Sequence, residues 1–367
     1  MDDLKTVREE INEIDERMTE LFVRRMEAAR KVAAYKGAHG LPILDPLREA
    51  AIIERHAERI ADAEVRGHYV TYQRALMQVS RSYQERLLHG LRVAFCGVSG
   101  AFAHIAAEKI FPGATHIPLS DFRAAYDAVE SGDCDCAVLP IENSTAGEVG
   151  QVLDLMFSGS LYVNGVYDLS VNHCLMGTPD ATEESITQVI SHPQALAQCA
   201  PYLRERGWQQ IQFENTAMAA QHVAEKKDPS VAAIASEETA RLYGLKILAR
   251  NIHSSGMNTT RFAVLSRAAG GMKGREGSHS ILMFTVRNEA GSLARAVGII
   301  GAHGYNMRCL RSRPMKELVF QYYFYVETEG DLRTEEGHRM TEELASACDR
   351  VRVVGSFAYP APLGGEL

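Results

Sequence analysis

Leu4, Val7, Ile11, Ile14, Met18, Leu21, Arg25, Ala28, Val32 and Tyr35 follow one another in unbroken alternating steps of three and four. That period puts all ten on one stripe of a single long helix that packs against other helices. One of the ten is a guanidinium, Arg25, and such a group in an apolar seam is costly unless an anion meets it there. The opening tenth of the chain therefore points to a helical bundle that binds an acidic small molecule in its interior.

The rest of residues 1–90 extends this reading. A break at Gly37-Ala38-His39-Gly40-Leu41-Pro42 ends the first helix, and Asp45-Pro46 supplies an N-cap followed by proline at the first helical position. A third helix is expected over 63–88, and no strand pattern occurs, so the block is all-α. Lys36 lies eleven residues after Arg25, on the same face and about 16 Å along the axis. Glu49 shares a stripe with Ile53, His56 and Ile60, while Ser80 and Gln84 recur among Met77 and Leu87 at 3-4-3 spacing. Each polar group alone reads as a satisfied structural residue. Five directed at one interior would each need a buried partner, and a shared charged ligand meets that need.

This block resembles the all-helical class of chorismate mutase, and Gly40-Leu41-Pro42-Ile43-Leu44-Asp45-Pro46-Leu47-Arg48-Glu49 is close to that family's loop. The resemblance implies that Arg8, Arg25, Lys36, Asp45, Arg48, Glu49, Ser80 and Gln84 bind substrate. Arg8 and Arg25 would clamp carboxylates bidentately. Lys36 and Gln84 would address the breaking ether oxygen, Glu49 with Arg48 or Asp45 the ring hydroxyl, and Ser80 would support them. Arg8 lies off the Arg25 face, in keeping with the family's habit of borrowing this arginine from a partner subunit. The rearrangement is unimolecular and needs no nucleophile, so holding a reactive conformer and stabilising developing charge are what a protein can supply.

From Leu91 the texture changes. Apolar runs over 91–96, 134–141, 161–166, 231–235 and 261–265 alternate with helical stretches such as 122–130 and 217–225. The alternation predicts an α/β domain with a largely parallel sheet, over 91–266. Polar clusters close three of its strand ends: Gly97-Val98-Ser99-Gly100, the run from Leu139 to Gly147, and Asn258-Thr259-Thr260-Arg261-Phe262. Such ends are where open sheets place ligands, and the glycines permit backbone amides to approach an anion.

Together with Pro140-Ile141-Glu142-Asn143-Ser144, Asn172-His173-Cys174-Leu175 and Ser191-His192-Pro193-Gln194-Ala195-Leu196, these segments resemble prephenate dehydratase. The resemblance implies a bilobed domain, like a periplasmic binding protein, with substrate between the lobes. It makes Thr260 the proton donor to the leaving hydroxide, through positioning more than acidity. Glu142 and Asn143 would hold the ring-hydroxyl region or order the cleft. Arg261 and the backbone near Gly100 are candidates for carboxylate contacts, and Gln194 and Thr216 would line the second lobe. His104 and His173 read as packing residues or as bases. Ala103 departs from the family, which has serine or threonine there, and one polar contact is thereby lost.

Glycine and charge over 267–279 mark a linker. Beyond it, strands at 280–286, 305–311, 319–327 and 351–357 and helices at 292–303 and 334–348 give the ferredoxin-like order βαββαβ, expected over 280–367. Asn288-Glu289-Ala290-Gly291-Ser292-Leu293 and Arg311-Ser312-Arg313-Pro314 resemble the two ligand elements of an ACT domain. That implies phenylalanine as effector at Asn288, Ala290, Gly291, Ser292, Leu293, Arg311, Ser312 and Arg313. Arg311 stands where the family has glutamate.

The whole chain thus resembles the bifunctional chorismate mutase/prephenate dehydratase family, implying chorismate and prephenate as substrates, regulation by phenylalanine and a homodimer or homotetramer. The rival readings are an arogenate-directed dehydratase and a non-catalytic metabolite sensor. A net charge of −8 argues against nucleic-acid binding. No apolar run reaches membrane-spanning length, and the acidic N-terminus does not read as a signal peptide. Seven cysteines, an odd number, read as reduced thiols of a cytoplasmic protein, and Cys134 and Cys136 lack a second ligand pair at metal spacing. Neither metal nor cofactor is expected, since the implied chemistry needs none.

Overall fold

The computed structural model describes residues 3–254, 258–270, 278–315, 321–359 and 361–363. The chain divides into two compact units, 1–92 with 132–135, and 93–131 with 136–367.

The first unit holds three helices, α1 (Leu4–His39), α2 (Pro46–Ala57) and α3 (Ala63–His89). Asp45 and Asp62 cap α2 and α3, accepting backbone N–H bonds from Arg48 at 3.0 Å and from Glu64 at 2.8 Å. Gly40, at φ 63°, ends α1 in the left-handed conformation that favours glycine. Ala29 and Ala33 are buried on α1, and Met77, Ser80 and Gln84 on α3, so small side chains let these two helices approach. Of the α1 seam itself only Arg25 and Val32 are half-buried, while Ala28 and Tyr35 are exposed. Leu4, Ile11, Ile14, Met18 and Leu21 remain 42–62% exposed.

The second unit contains two α/β lobes and a small C-terminal domain. The first lobe is built from β1 (Arg92–Cys96), α4 (Phe102–Ile110), β2 (Thr115–Leu119), α5 (Phe122–Glu130), β3 (Cys136–Asn143), β4 (Gly147–Glu148), α6 (Gly150–Ser158) and β5 (Tyr162–Ser170). The chain then forms the second lobe: β6 (Cys174–Gly177), β7 (Gln188–Ser191), α7 (Pro193–Gln198), α8 (Ala200–Arg206), β8 (Gln209–Gln212), α9 (Thr216–Lys226), β9 (Val231–Ala235), α10 (Glu237–Tyr243) and β10 (Lys246–Ala249). It returns to the first lobe as β11 (Thr259–Ser266). The sheets are mixed rather than largely parallel. Because β11 comes back from the far lobe, it lies antiparallel between β3 and β5. The second sheet runs β10-β6-β9-β7-β8. Several of its strands escape a periodicity reading because they are only four residues long, and the Gln209–Gln212 edge strand is polar as well.

The small domain comprises β12 (His279–Thr285), α11 (Ser292–Ala302), β13 (Met307–Pro314), β14 (Tyr322–Glu329), α12 (Glu335–Ala347) and β15 (Arg350–Phe357). Its antiparallel sheet runs β13-β14-β12-β15. The expected order βαββαβ is present; residues 271–277 of the expected linker and 319–320 of the expected third strand lie outside the described residues. One sheet face packs Leu282, Phe284 and Val326 against Ala296, Ile300, Met340 and Leu344 of the helices. The other face meets the first lobe. Tyr323 stacks on Phe157 at 4.3 Å, and Arg352 donates to the carbonyls of Met156 and Leu161 at 2.6 Å each. Gly355 is obligatory, since a Cβ there would lie 2.0 Å from the Val163 carbonyl oxygen. Finally β16 (Ala361–Leu363) pairs in parallel with β5, so the chain leaves the small domain and rejoins the first lobe's sheet. The 280–367 segment is therefore not a separate body.

Candidate active sites

In the helical unit, a cavity of about 370 Å³ is lined by Arg25, Lys36, Asp45, Arg48, Glu49, Ser80 and Gln84. Seven of the eight residues expected there thus converge. Arg25 donates to Ser80 Oγ and to the Leu76 carbonyl, and burial lowers its pKa without discharging it. Lys36 Nζ is held by the Ile43 carbonyl at 2.6 Å. Gln84 Nε2 donates to the Ser80 carbonyl at 3.1 Å, which leaves its buried Oε1 without a partner among the described residues. Arg81, which the stripe reading passed over, also lines the cavity and pairs with Glu49. So does Gln73, which extends the Met77-Ser80-Gln84 stripe by one step toward the N-terminus. Arg25, Lys36, Arg48 and Arg81 face Asp45 and Glu49, a surplus of two positive charges suited to a dicarboxylate. Arg8 does not line this cavity. It lies on the exposed part of α1, seventeen residues before Arg25 and about 25 Å away along the helix.

In the second unit, a cleft of about 310 Å³ separates the lobes and contains Asn143, Gln194, Thr216 and Thr260. Asn143 is its organising residue. Its Nδ2 donates to Thr260 Oγ1 and to Asn258 Oδ1, both at 2.9 Å, and its Oδ1 accepts from the Thr145 and Ala146 amides at 3.0 and 2.9 Å. The bonds continue through Asn258 Nδ2 to Gln198 Oε1 at 2.9 Å and on to His173 Nε2 at 2.8 Å. An acceptor on Nε2 fixes its proton there, and burial lowers the pKa of His173, so it stands as a neutral imidazole. Asn258 belongs to the polar strand-end cluster already singled out, whereas Gln198 does not stand out in the sequence reading. Gln198 lies one turn beyond Gln194 on α7, so helical spacing could have found it.

Three expected contacts fall elsewhere. Glu142 and Arg261 neighbour Asn143 and Thr260 in sequence, and successive strand residues face opposite sides of a sheet. They project to the far face, where Arg261 pairs with Asp168 at 3.2 Å, with Glu327 at 3.2 Å and with Glu142 at 3.9 Å. Neither lines the cleft. Gly100 is also turned away: its N–H bonds His104 Nδ1 at 3.2 Å and its carbonyl accepts from Thr239 Oγ1 at 2.7 Å. Its neighbours Ala101 and Phe102 line the cleft instead, while Ala103 is buried in α4.

The comparisons with known proteins match the two blocks that hold these pockets. The sequence model described as chorismate mutase type II matches residues 7–85, and that of prephenate dehydratase matches 93–270. The bifunctional chorismate mutase/prephenate dehydratase of Aquifex aeolicus is 33% identical over 363 residues, covering 97% of this chain and 98% of that protein. Its Escherichia coli counterpart is 30% identical over 369 residues and 96% of each chain. This chain belongs to the bifunctional chorismate mutase/prephenate dehydratase family. A prephenate dehydratase from Arthrobacter aurescens, solved in complex with L-Phe, superposes with a TM-score of 0.67 at 26% identity, over 73% of this chain and 90% of that one.

In this bifunctional enzyme the expected effector residues do not meet within one chain. Asn288, Ala290 and Gly291 are exposed in the loop before α11, where Ser292 and Leu293 begin the helix. β14 separates β12, which leads into that loop, from β13. Arg311 and Arg313 reach Glu142, Glu148 and Asp154 of the dehydratase block, and only Ser312 of the three is exposed. The nearest approach to a metal-ligand group among the described residues is His104, Glu108 and His116. Because His104 Nδ1 accepts the Gly100 N–H, neutral His104 keeps its Nε2 proton and has no lone pair to offer on that side.

Proposed function

We propose that the two conversions of this family occur at the two pockets described, each with its own residues. In the helical cavity chorismate is held compact and rearranges to prephenate. Arg25 takes one carboxylate and Arg8 of the partner subunit the other. Lys36 and Gln84 meet the ether oxygen, Gln84 after its amide turns over to present Nε2. Glu49, Arg48 and Asp45 address the ring hydroxyl, and Ser80 steadies Arg25. The positive surplus of the cavity supports this reading, since it offers a dianion charge without offering a nucleophile.

In the interlobe cleft prephenate loses carbon dioxide and its ring hydroxyl. The electrons of the breaking carbon–carboxylate bond complete the aromatic ring as the carbon–oxygen bond breaks. The departing hydroxide takes the Thr260 proton and leaves as water, and solvent returns a proton to Thr260. The observation that carries the assignment is the Asn143–Thr260 bond. Asn143 donates to Thr260 Oγ1, which leaves the hydroxyl proton to be given onward and stabilises charge building on that oxygen. Gln194 and Thr216 hold the substrate from the second lobe.

The small domain is read as an ACT domain that takes phenylalanine between the loop Asn288–Leu293 of one chain and Ser312 of the partner subunit. The exposed apolar stripe of α1 supports a homodimer, because burying it restores the helical packing that its period demands. Supplying prephenate and arogenate side by side, with and without phenylalanine, tests the substrate and the effector together. Faster turnover of prephenate and its suppression by phenylalanine are expected; preference for arogenate would move the dehydratase assignment to that substrate.

A further inference from the structure

We propose that Arg311 and Arg313 are positioning residues for the dehydratase reaction, two prongs by which the small domain holds the floor of the cleft in shape. Along β13 burial alternates, so Arg311 and Arg313 share the covered face while Arg308, Leu310 and Ser312 are exposed. Arg311 pairs with Glu142, the residue beside Asn143 on β3. Arg313 pairs with Glu148 on β4 and, through Nε, with Asp154 on α6 at 3.2 Å. Tyr323 completes the second prong, donating to Asp154 at 2.8 Å and accepting from Arg313 at 3.0 Å.

What these prongs grip is cleft wall. Ala146, Gly147, Glu148 and Val149 all line it, and the segment begins at Asn143, which holds Thr260. Gly150 makes the close approach feasible, because a Cβ there would lie 2.3 Å from Arg313 Nη2. A planar fork that satisfies two carboxylates on two elements fixes their spacing in a way a flexible ammonium does not. Thr260 acts by position, so a small drift of β3 and β4 is felt in the chemical step. Substrate contacts from the second lobe do not pass through these elements. Arg311 is also a position where the resemblance implies glutamate, and a glutamate there would face Glu142.

Five variants test this, with the chorismate mutase turnover of the same protein as internal control. Arg311→Met and Arg313→Met should each lower the dehydratase kcat on the order of tenfold, with KM within about twofold and mutase turnover unchanged. Arg313→Lys, which keeps stem and charge but loses the fork, should lose only a few-fold, and it keeps the question answerable if Arg313→Met misfolds. Adding Glu148→Gln to Arg313→Met should cost little beyond the single change, the non-additivity of coupled partners. Unchanged kcat in the methionine variants, a loss confined to KM, or effects of Glu148→Gln and Arg313→Met that simply multiply would overturn the proposal.

Discussion

Thr260 and Arg261 are adjacent, yet one faces the cleft and the other a packed charge network on the far side of the sheet. The difference yields opposite expectations for their variants. Asn143→Ala removes the donor to Thr260 and should lower the dehydratase kcat on the order of 10²-fold, read from initial rates on prephenate. Arg261→Met leaves the buried Glu327 without its guanidinium. That change should appear as a loss of about 3 kcal/mol in denaturant unfolding, with KM for prephenate little altered in the folded fraction. A rise in KM without loss of stability would return Arg261 to the substrate. The chemistry-bearing residue types were legible in the sequence at this scale, but their directions were not. Motif resemblance groups neighbours, whereas the pleat separates them, so Asn143 and Thr260 line the cleft while Glu142 and Arg261 do not. Gly100 itself is turned from the cleft for a related reason: the turn needs its φ of 87°, and its amide is already taken by His104.

At the scale of elements, α1 carries more apolar surface than one chain covers. A cavity completed by Arg8 of the partner subunit predicts complementation. Arg8→Ala and Arg25→Ala chains, each inactive as a mutase, should regain about one quarter of the activity when mixed and reassociated, since half the dimers then hold one intact site. No recovery would place Arg8 outside the site. The pairing of α11 with α12 should respond to pH. His303 bonds Glu336 at 2.6 Å and Glu343 at 2.8 Å, and these carboxylates, Glu343 first, raise its pKa above the ordinary imidazole value near 6.5. A raised folded pKa gives stabilisation that is complete below about pH 6.5 and is lost as pH rises through the raised value. The stability difference between the native chain and His303→Gln should therefore shrink as pH rises, measured by thermal unfolding across that window; a difference that grows would reverse the assignment. Long helices and the βαββαβ order were readable from period alone. The short strands of the second lobe were not, because pairing with neighbours, not local pattern, makes Gln209–Gln212 a strand.

Across the whole molecule, the small domain is bonded into the dehydratase block through β13, β15 and β16, while the helical unit carries its own cavity and its own core. The sequence separated three segments by texture; packing joins two of them, and texture carries no record of which face of a sheet a second domain will cover. If each pocket runs its own step, the steps can be uncoupled by one hydroxyl. The most direct measurement feeds chorismate to the native chain and to Thr260→Val and follows both products in time. Native protein should deliver phenylpyruvate, and Thr260→Val should consume chorismate at the native rate while prephenate accumulates. Phenylpyruvate formed by Thr260→Val at the native rate would contradict the account.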